Sequence, residues 1–276
     1  MTTTKKPILI YLPFTIIVSC TILGILSPFQ VIASEELVIV GTGSGMPLLK
    51  AIGQAFSEQY PEIAVIVPDS IGSGGGIKAV GEDRYKLGRV ARNIEEKEKK
   101  YGLIQMPLAK IPIVFYVNAG VTLTEITSTQ ACRIYDGTFR KWKEIGGVGG
   151  KIRVIKREIG DSSLLVLEEK LPGFKDIKLT LRSKTTYTDQ ETVLECIKQE
   201  GAIAFGCWVD VKNVRDVHVL RLDGMHPGYP EYPYVGMLDL VYKQENYTGA
   251  LKKFVGFISS DAAKRAIFNS GGIPAN

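Results

Sequence analysis

The chain has 276 residues, 45% of them hydrophobic and 23% charged, a mix that suits one large or two medium globular domains and excludes collagen-like, low-complexity and disordered chains. Its formal net charge of +5 comes from interspersed basic and acidic residues, so nothing in it calls for nucleic acid. Only two histidines, His218 and His226, are present, which leaves a zinc hydrolase or a histidine acid–base enzyme little to work with.

Residues 1–33 carry Lys5 and Lys6, no acid, and an apolar run from Pro7 to Ala33. A basic start, an apolar middle and Val31-Ile32-Ala33 ahead of Ser34-Glu35-Glu36 predict a secretory signal cleaved after Ala33. The run is also long enough for an uncleaved anchor, although Pro13 and Pro28 interrupt it. Cys20, after Ile17-Val18-Ser19, offers lipid attachment as a third reading. Export places Cys132, Cys196 and Cys207 in an oxidising compartment. Cys196 and Cys207 join a helix to a strand, so a disulfide between them and three buried thiols are equal alternatives.

Residues 36–40 (Glu-Leu-Val-Ile-Val) form a β-branched run that predicts a buried parallel strand. Gly41-Thr42-Gly43-Ser44-Gly45 follows it, and Leu48, Leu49, Ile52, Ala55 and Phe56 recur at helical spacing up to Tyr60-Pro61. A second strand is expected at 63–67. A second glycine-rich loop, at 70–76, then opens a helix at Ile77. Strand, glycine loop and helix thus occur twice, which predicts an α/β architecture with a parallel sheet. Further strands are expected at 111–117 and 151–156. The latter runs through Arg157-Glu158-Ile159-Gly160-Asp161-Ser162-Ser163 into a helix that stops at Pro172-Gly173. A helix at 189–200, strands at 202–208 and 232–242, and one amphipathic helix at 250–269 complete the chain. No long linker divides it.

Three helix starts therefore carry small polar residues: Ser44, Ser73, and Ser162 with Ser163. Unpaired amides and partial positive charge at such ends suit anions. Met46 breaks the dinucleotide fingerprint, and no Gly-Lys-Ser/Thr follows a glycine loop. Nor does a serine sit at the centre of Gly-x-Ser-x-Gly.

With these motifs, with the segment 134–147 (Ile-Tyr-Asp-Gly-Thr-Phe-Arg-Lys-Trp-Lys-Glu-Ile-Gly-Gly), and with the strand Pro112 to Asn118, the chain resembles the phosphate-binding proteins of ATP-driven phosphate importers. These are a branch of the two-lobed periplasmic solute receptors, and the resemblance covers essentially everything after residue 33. It implies a type 2 periplasmic-binding-protein fold of the α/β class with a ligand cleft between the lobes. Lobe 1 would comprise 34–113 plus 228–276 and lobe 2 would comprise 114–227, hinged at 112–118 and 229–236.

Residue by residue, the resemblance implies anion contacts from the backbone of Ser44, Gly45 and Met46, and from the Ser73 hydroxyl with the amides of Gly74 and Gly75. It adds a charged clamp from Arg157 and contacts from Ser162 and Ser163, a guanidinium fork being well shaped for a tetrahedral oxyanion. Three positions leave the family pattern. Gly45 stands where a hydroxyl is common. Arg92 stands where a carboxylate accepts the proton of monohydrogen phosphate, and Asp161 where serine is usual. In one reading Asp161 becomes that proton acceptor, with Arg92 as its partner or as a second anion clamp. In the other, Asp161 caps its helix and Arg92 is ion-paired within the charged run 93–100.

The function implied is an exported, monomeric binding protein with no enzymatic activity, cofactor or metal. It would capture inorganic phosphate or a similar oxyanion for the membrane permease of an ABC-type importer, in the periplasm or another extracytoplasmic space. A receptor for sulfate, molybdate or tungstate, and a signalling or adhesion module on the same fold, are the alternatives.

Overall fold

The computed structural model describes residues 1–3, 35–148 and 150–275, so the expected signal segment lies, apart from its first three residues, outside the described residues. Among the described residues no helix is long and apolar enough to cross a membrane.

The β-branched run becomes β1 (Glu35–Gly41), which leads through the first glycine loop into α1 (Met46–Gln59). β2 (Ile63–Ile66), α2 (Gly72–Gly81) and β3 (Leu87–Val90) follow. β1 lies between β2 and β3 and runs parallel to both, with Glu35 opposite Ile63 and Ile39 opposite Leu87. The glycines at 72–76, expected as a loop, are already helical. A Cβ on Gly76 would stand 2.8 Å from Gly41 Cα. Its glycine thus lets α2 press onto the β1 backbone closer than a side chain would permit.

A 3-10 turn at Glu96–Tyr101 precedes β4 (Ile104–Asn118), twice the expected length. The chain continues through β5 (Glu125–Ile126), α3 (Ser128–Tyr135), β6 (Arg153–Arg157), α4 (Ser162–Lys170) and β7 (Lys184–Thr186). Next come α5 (Asp189–Lys198), β8 (Ala202–Cys207), α6 (Trp208–Val211), β9 (Val217–Val219) and β10 (Arg221–Leu222). β11 (Val235–Tyr242), α7 (Gly249–Phe257), α8 (Asp261–Asn269) and β12 (Ile273–Pro274) end it. The single helix expected at 250–269 is two, because Ser260 accepts the Ala263 N–H (3.2 Å) and starts α8 afresh.

The main sheet runs β2-β1-β3-β11-β4-β8-β6-β7, with β9 and β12 also pairing to β4. β4 serves two sets of partners. From Ile104 to Pro112 it lies antiparallel to β11, and from Ile113 to Val117 antiparallel to β8. Phe115, Tyr135, Phe174 and Phe205 cluster below the second set, with ring centroids 5.4–6.3 Å apart. Phe56 of α1 meets Phe254 and Phe257 of α7 edge-on at 5.2 and 5.4 Å, each such pair adding about 0.5–1.5 kcal/mol beyond its buried area. Buried Trp142, in the segment that carries the family resemblance, donates from Nε1 to Gly201 O at 3.0 Å.

Cys132, Cys196 and Cys207 are all buried free thiols. Cys196 faces Tyr116 O and Cys207 faces the Ser163 hydroxyl, so of the two alternatives for these residues the structure takes the thiols.

Candidate functional site

The first glycine loop is strapped down by a residue that no sequence pattern singled out. Arg89, in the middle of β3, is wholly buried and among the described residues has no ion-pair partner. Its Nε donates to Thr42 O at 2.6 Å, one terminal nitrogen to Pro68 O at 2.7 Å, and the other to Ile39 O. Burial lowers its pKa to about 10, so it stays charged at neutral pH and ties three backbone carbonyls around the loop.

The loop then turns sharply at Gly45, whose φ is 76° and whose Cβ would stand 2.8 Å from both Ile111 Cδ1 and Leu238 Cδ2. This tight turn aims Ser44 inward. Its buried hydroxyl lies 3.3 Å from the Ser162 hydroxyl at the start of α4 and donates to Asp189 Oδ2 at 3.4 Å. Two helix starts far apart in the chain, at Ser44 and Ser162, therefore meet. Gly43 has a related task, since a Cβ there would fall 2.8 Å from Asp189 Oδ2.

Arg157 ends β6 beneath this junction, only 4% exposed. It contacts Asp161 Oδ2 at 2.9 Å, Asp189 Oδ1 at 3.1 Å and Glu158 Oε2 at 3.3 Å. Burial works against the guanidinium charge, but Asp189, Asp161 and Glu158 outweigh it and hold its pKa above the usual value. The other oxygen of Asp161 accepts the amides of Ser163 and Leu164, both at 3.0 Å. Asp161 is thus both the N-cap of α4 and a partner of Arg157. Burial raises its pKa to about 7, against the opposing pull of Arg157.

Other anion donors expected from the sequence are also engaged. The Gly45 amide donates to Asp210 Oδ2 at 3.4 Å, the Ser44 amide to Thr42 Oγ1 at 3.3 Å and the Met46 amide to Gly43 O at 3.3 Å. Asp210 is pushed well above the usual carboxylate range by burial and by Asp189. Asp189, Cys207 and Asp210 present ligand atoms within 4.8 Å of one another. Burial, with the neighbouring carboxyls of Asp189 and Asp210, raises the pKa of the Cys207 thiol well above its usual value.

Ser73 sits in the first turn of α2 and accepts the Ala91 amide at 3.1 Å. Gly74 leaves room beside Arg92, where a Cβ would lie 3.3 Å from a guanidinium nitrogen, while Gly75 packs only on Ile71. Arg92 does not meet Asp161. It forms a two-pronged pair with Glu98, both bonds 2.8 Å, and a looser one with Glu95 at 3.5 Å. Ser44, Ala91 and Ser162 line a pocket of about 10 Å³, room for about one water. Ala91, Arg92 and Ser162 also line an adjoining cleft of about 510 Å³. The structure therefore gathers Ser44, Gly45, Arg157, Asp161, Ser162 and Ser163 at one locus, and places Arg92 in the adjoining cleft that Ser162 also lines, with Ser73 held to the Ala91 amide beside it.

Asp189, Asp210, Glu98 and Arg89 were not found from the sequence. Asp189 follows the N-cap Thr188 and reads as an ordinary first-turn acid, so no local signal marks it.

Among curated proteins, the phosphate-binding protein PstS of Bacillus subtilis is 26% identical over 251 residues, covering 88% of this chain and 81% of that one. Among solved structures, a candidate phosphate ABC transporter substrate-binding protein from Clostridium perfringens, with bound phosphate, is 26% identical. It superposes at a TM-score of 0.75 over 87% of this chain and all of that one. An ABC-type phosphate transport receptor from Vibrio cholerae shares the fold at 22% identity and a TM-score of 0.61, over 86% of this chain and 99% of that one. The family model of the PBP superfamily domain matches residues 32–262, and the chain belongs to that superfamily.

Proposed function

We propose that the protein is an extracytoplasmic receptor that captures phosphate and delivers it to the permease of an ABC importer, acting by binding and not by catalysis. The observation that carries this reading is the convergence of Ser44, from the first glycine loop, with Arg157 and Ser162, from the two ends of the turn between β6 and α4, around buried Asp189. Relatives named for phosphate binding supply the ligand class. The site would hold the anion between Ser44, Gly45 and Met46 on one side and Arg157, Ser162 and Ser163 on the other. Ser73, Gly74, Gly75 and Arg92 would form the facing wall. The lobes would be 34–113 plus 228–276 and 114–227, turning about the middle of β4, where its partner changes from β11 to β8. A pocket of about 10 Å³ is too small for phosphate, so capture requires the lobes to part and reclose around it. The N-terminal segment would direct export, and the receptor would work as a monomer.

A second reading rests on one feature. The fork of Arg157, the Gly45 amide and the first amides of α4 are each already answered by a carboxylate of the chain, from Asp161, Asp189 or Asp210. A chain so satisfied within itself suits an interaction module that keeps the fold without tight ligand binding. Calorimetry with phosphate, sulfate, molybdate and tungstate separates the readings. Tight phosphate binding, with at least about tenfold preference over sulfate (~1.4 kcal/mol), supports the phosphate receptor. A tighter fit to another oxyanion reassigns the ligand, and no binding to any of the four supports the module.

A further inference from the structure

A cavity of about 570 Å³ shares no lining residue with the Ser44–Arg157 locus. Its walls come from the stretch after α3, the start of β6, the segment before β7 and the residue that follows α5. Six of its lining side chains are cationic, Arg140, Lys141, Lys151, Arg153, Arg182 and Lys184, and none is a carboxylate. Buried Ile134 and Val154 contribute apolar wall.

The six cationic residues are all exposed, and two further observations bear on how they are arranged. Lys141 and Lys151 are antiparallel bridge partners, which places like charges directly opposite each other, a repulsive arrangement. Among the described residues only Lys184 of the six is ion-paired, with its Nζ 2.6 Å from Glu195 Oε2. The nearby Glu144 spends one carboxylate oxygen on the backbone amides of Arg140 and Lys141 at 2.8 and 2.6 Å. Elsewhere Arg92 pairs with Glu98, Lys243 with Asp83 and Lys253 with Glu62. The walls of this cavity, in contrast, bring six cations together with no carboxylate among them. Like charges gathered in a concavity with apolar walls focus a positive potential, and three guanidinium forks match phosphate oxygens geometrically. The volume falls within the range of sites that take a molecule much larger than orthophosphate.

We propose that this cavity is a second anion site, which takes a ligand bearing several phosphate groups. Two sources share that chemistry, a soluble oligophosphate and the headgroups of an anionic membrane surface. The test compares full-length wild type with the triple variant Lys141→Glu, Arg153→Glu, Arg182→Glu. Inorganic tripolyphosphate is titrated by calorimetry at low salt with orthophosphate already saturating, so that the Ser44–Arg157 site is occupied if it binds. Thermal melting controls for folding whether or not orthophosphate binds. Wild type should bind tripolyphosphate, the variant should bind at least about tenfold more weakly, and added salt should weaken the wild-type interaction. A parallel arm measures co-sedimentation with phosphatidylglycerol vesicles. Retention that the variant loses and tripolyphosphate displaces assigns headgroups, whereas tripolyphosphate binding without such retention assigns a soluble ligand. Equal behaviour of a folded variant and wild type in both arms overturns the proposal.

Discussion

Replacing Arg157 with methionine keeps most of the side-chain volume and removes the charge on which the site is built. Arg157 is 4% exposed, and the Asp161 and Asp189 side chains that grip it are 5% and 4% exposed. Solvent therefore screens the contacts little. Removing one member of a buried pair leaves the other charge uncompensated, at a cost of about 3–5 kcal/mol. For a folded unit of this size that is a fall in Tm of roughly 6–20 °C. The sign of its pH dependence follows from linkage. Without the guanidinium, which pulls the Asp161 pKa down, that carboxyl binds a proton more readily in the folded variant than in the folded wild type, so the variant regains stability as pH falls. Thermal melts of Arg157→Met and wild type at pH 8 and pH 5.5 should show a wide gap at the higher pH and a narrower one at the lower. A loss below about 1 kcal/mol at pH 8, the scale of an exposed pair, would refute the buried-charge argument. An equal loss at both pH values would assign the effect to packing.

Asp161→Asn should keep the cap of α4, since asparagine caps as well as aspartate, while losing the charge facing Arg157. Because the folded Asp161 carboxyl is raised to about 7 from an unfolded value near 3.9, its contribution to stability is present at low pH and is lost as pH rises from about 4 to about 7; melting curves across that window should show this slope in wild type and not in the variant. Burial raises the pKa of all three described thiols, so Cys132, Cys196 and Cys207 should resist iodoacetamide in the native protein and label without reductant after unfolding, and recovery of a Cys196–Cys207 linked peptide by mass spectrometry would contradict this. Two glycine substitutions should act in opposite directions in urea unfolding: Gly76→Ala, whose Cβ would meet Gly41 Cα at 2.8 Å, should cost about 1–3 kcal/mol, whereas Gly256→Ala, on an exposed turn of α7 with nothing within 4 Å, should gain about 0.4–1 kcal/mol.

The parts of the molecule that were legible in advance are those decided locally. The change from strand to helix periodicity across Gly41 to Gly45 and across Arg157 to Ser163 placed β1, α1, β6 and α4 within a few residues. Ser44 and Ser162 could be marked as helix-start hydroxyls before their meeting at 3.3 Å was known. The carboxylates around Arg157 were not legible, because Asp189 and Asp210 come from α5 and α6 and each looks ordinary in its own helix. For Arg92 the alternative of an ion pair within the run 93–100 holds, but which acid it takes was not legible. The 3-10 turn at Glu96–Tyr101 selects Glu98 from a run of similar charges. β3 escaped notice because Gly88 and Arg89 are poor strand-core residues, and only three backbone carbonyls from two other segments make Arg89 tolerable there. The apolar period of α7 continues into α8, which hid the cap at Ser260.

The position of β11 also bears on how the protein emerges from the ribosome. β3 and the first half of β4 both depend on β11 for pairing, yet β11 is completed about 150 residues after β3. At ordinary synthesis rates that is a delay of roughly 8–30 s. Meanwhile the second half of β4 can already pair with β8 as soon as it is made, so the middle of the chain is able to assemble before its two ends. During that interval the nascent protein presents open strand edges, the kind of surface that templates pairing between chains. A polypeptide truncated before Val235 would hold this vulnerable state permanently, and it is expected to aggregate rather than to settle as a smaller domain.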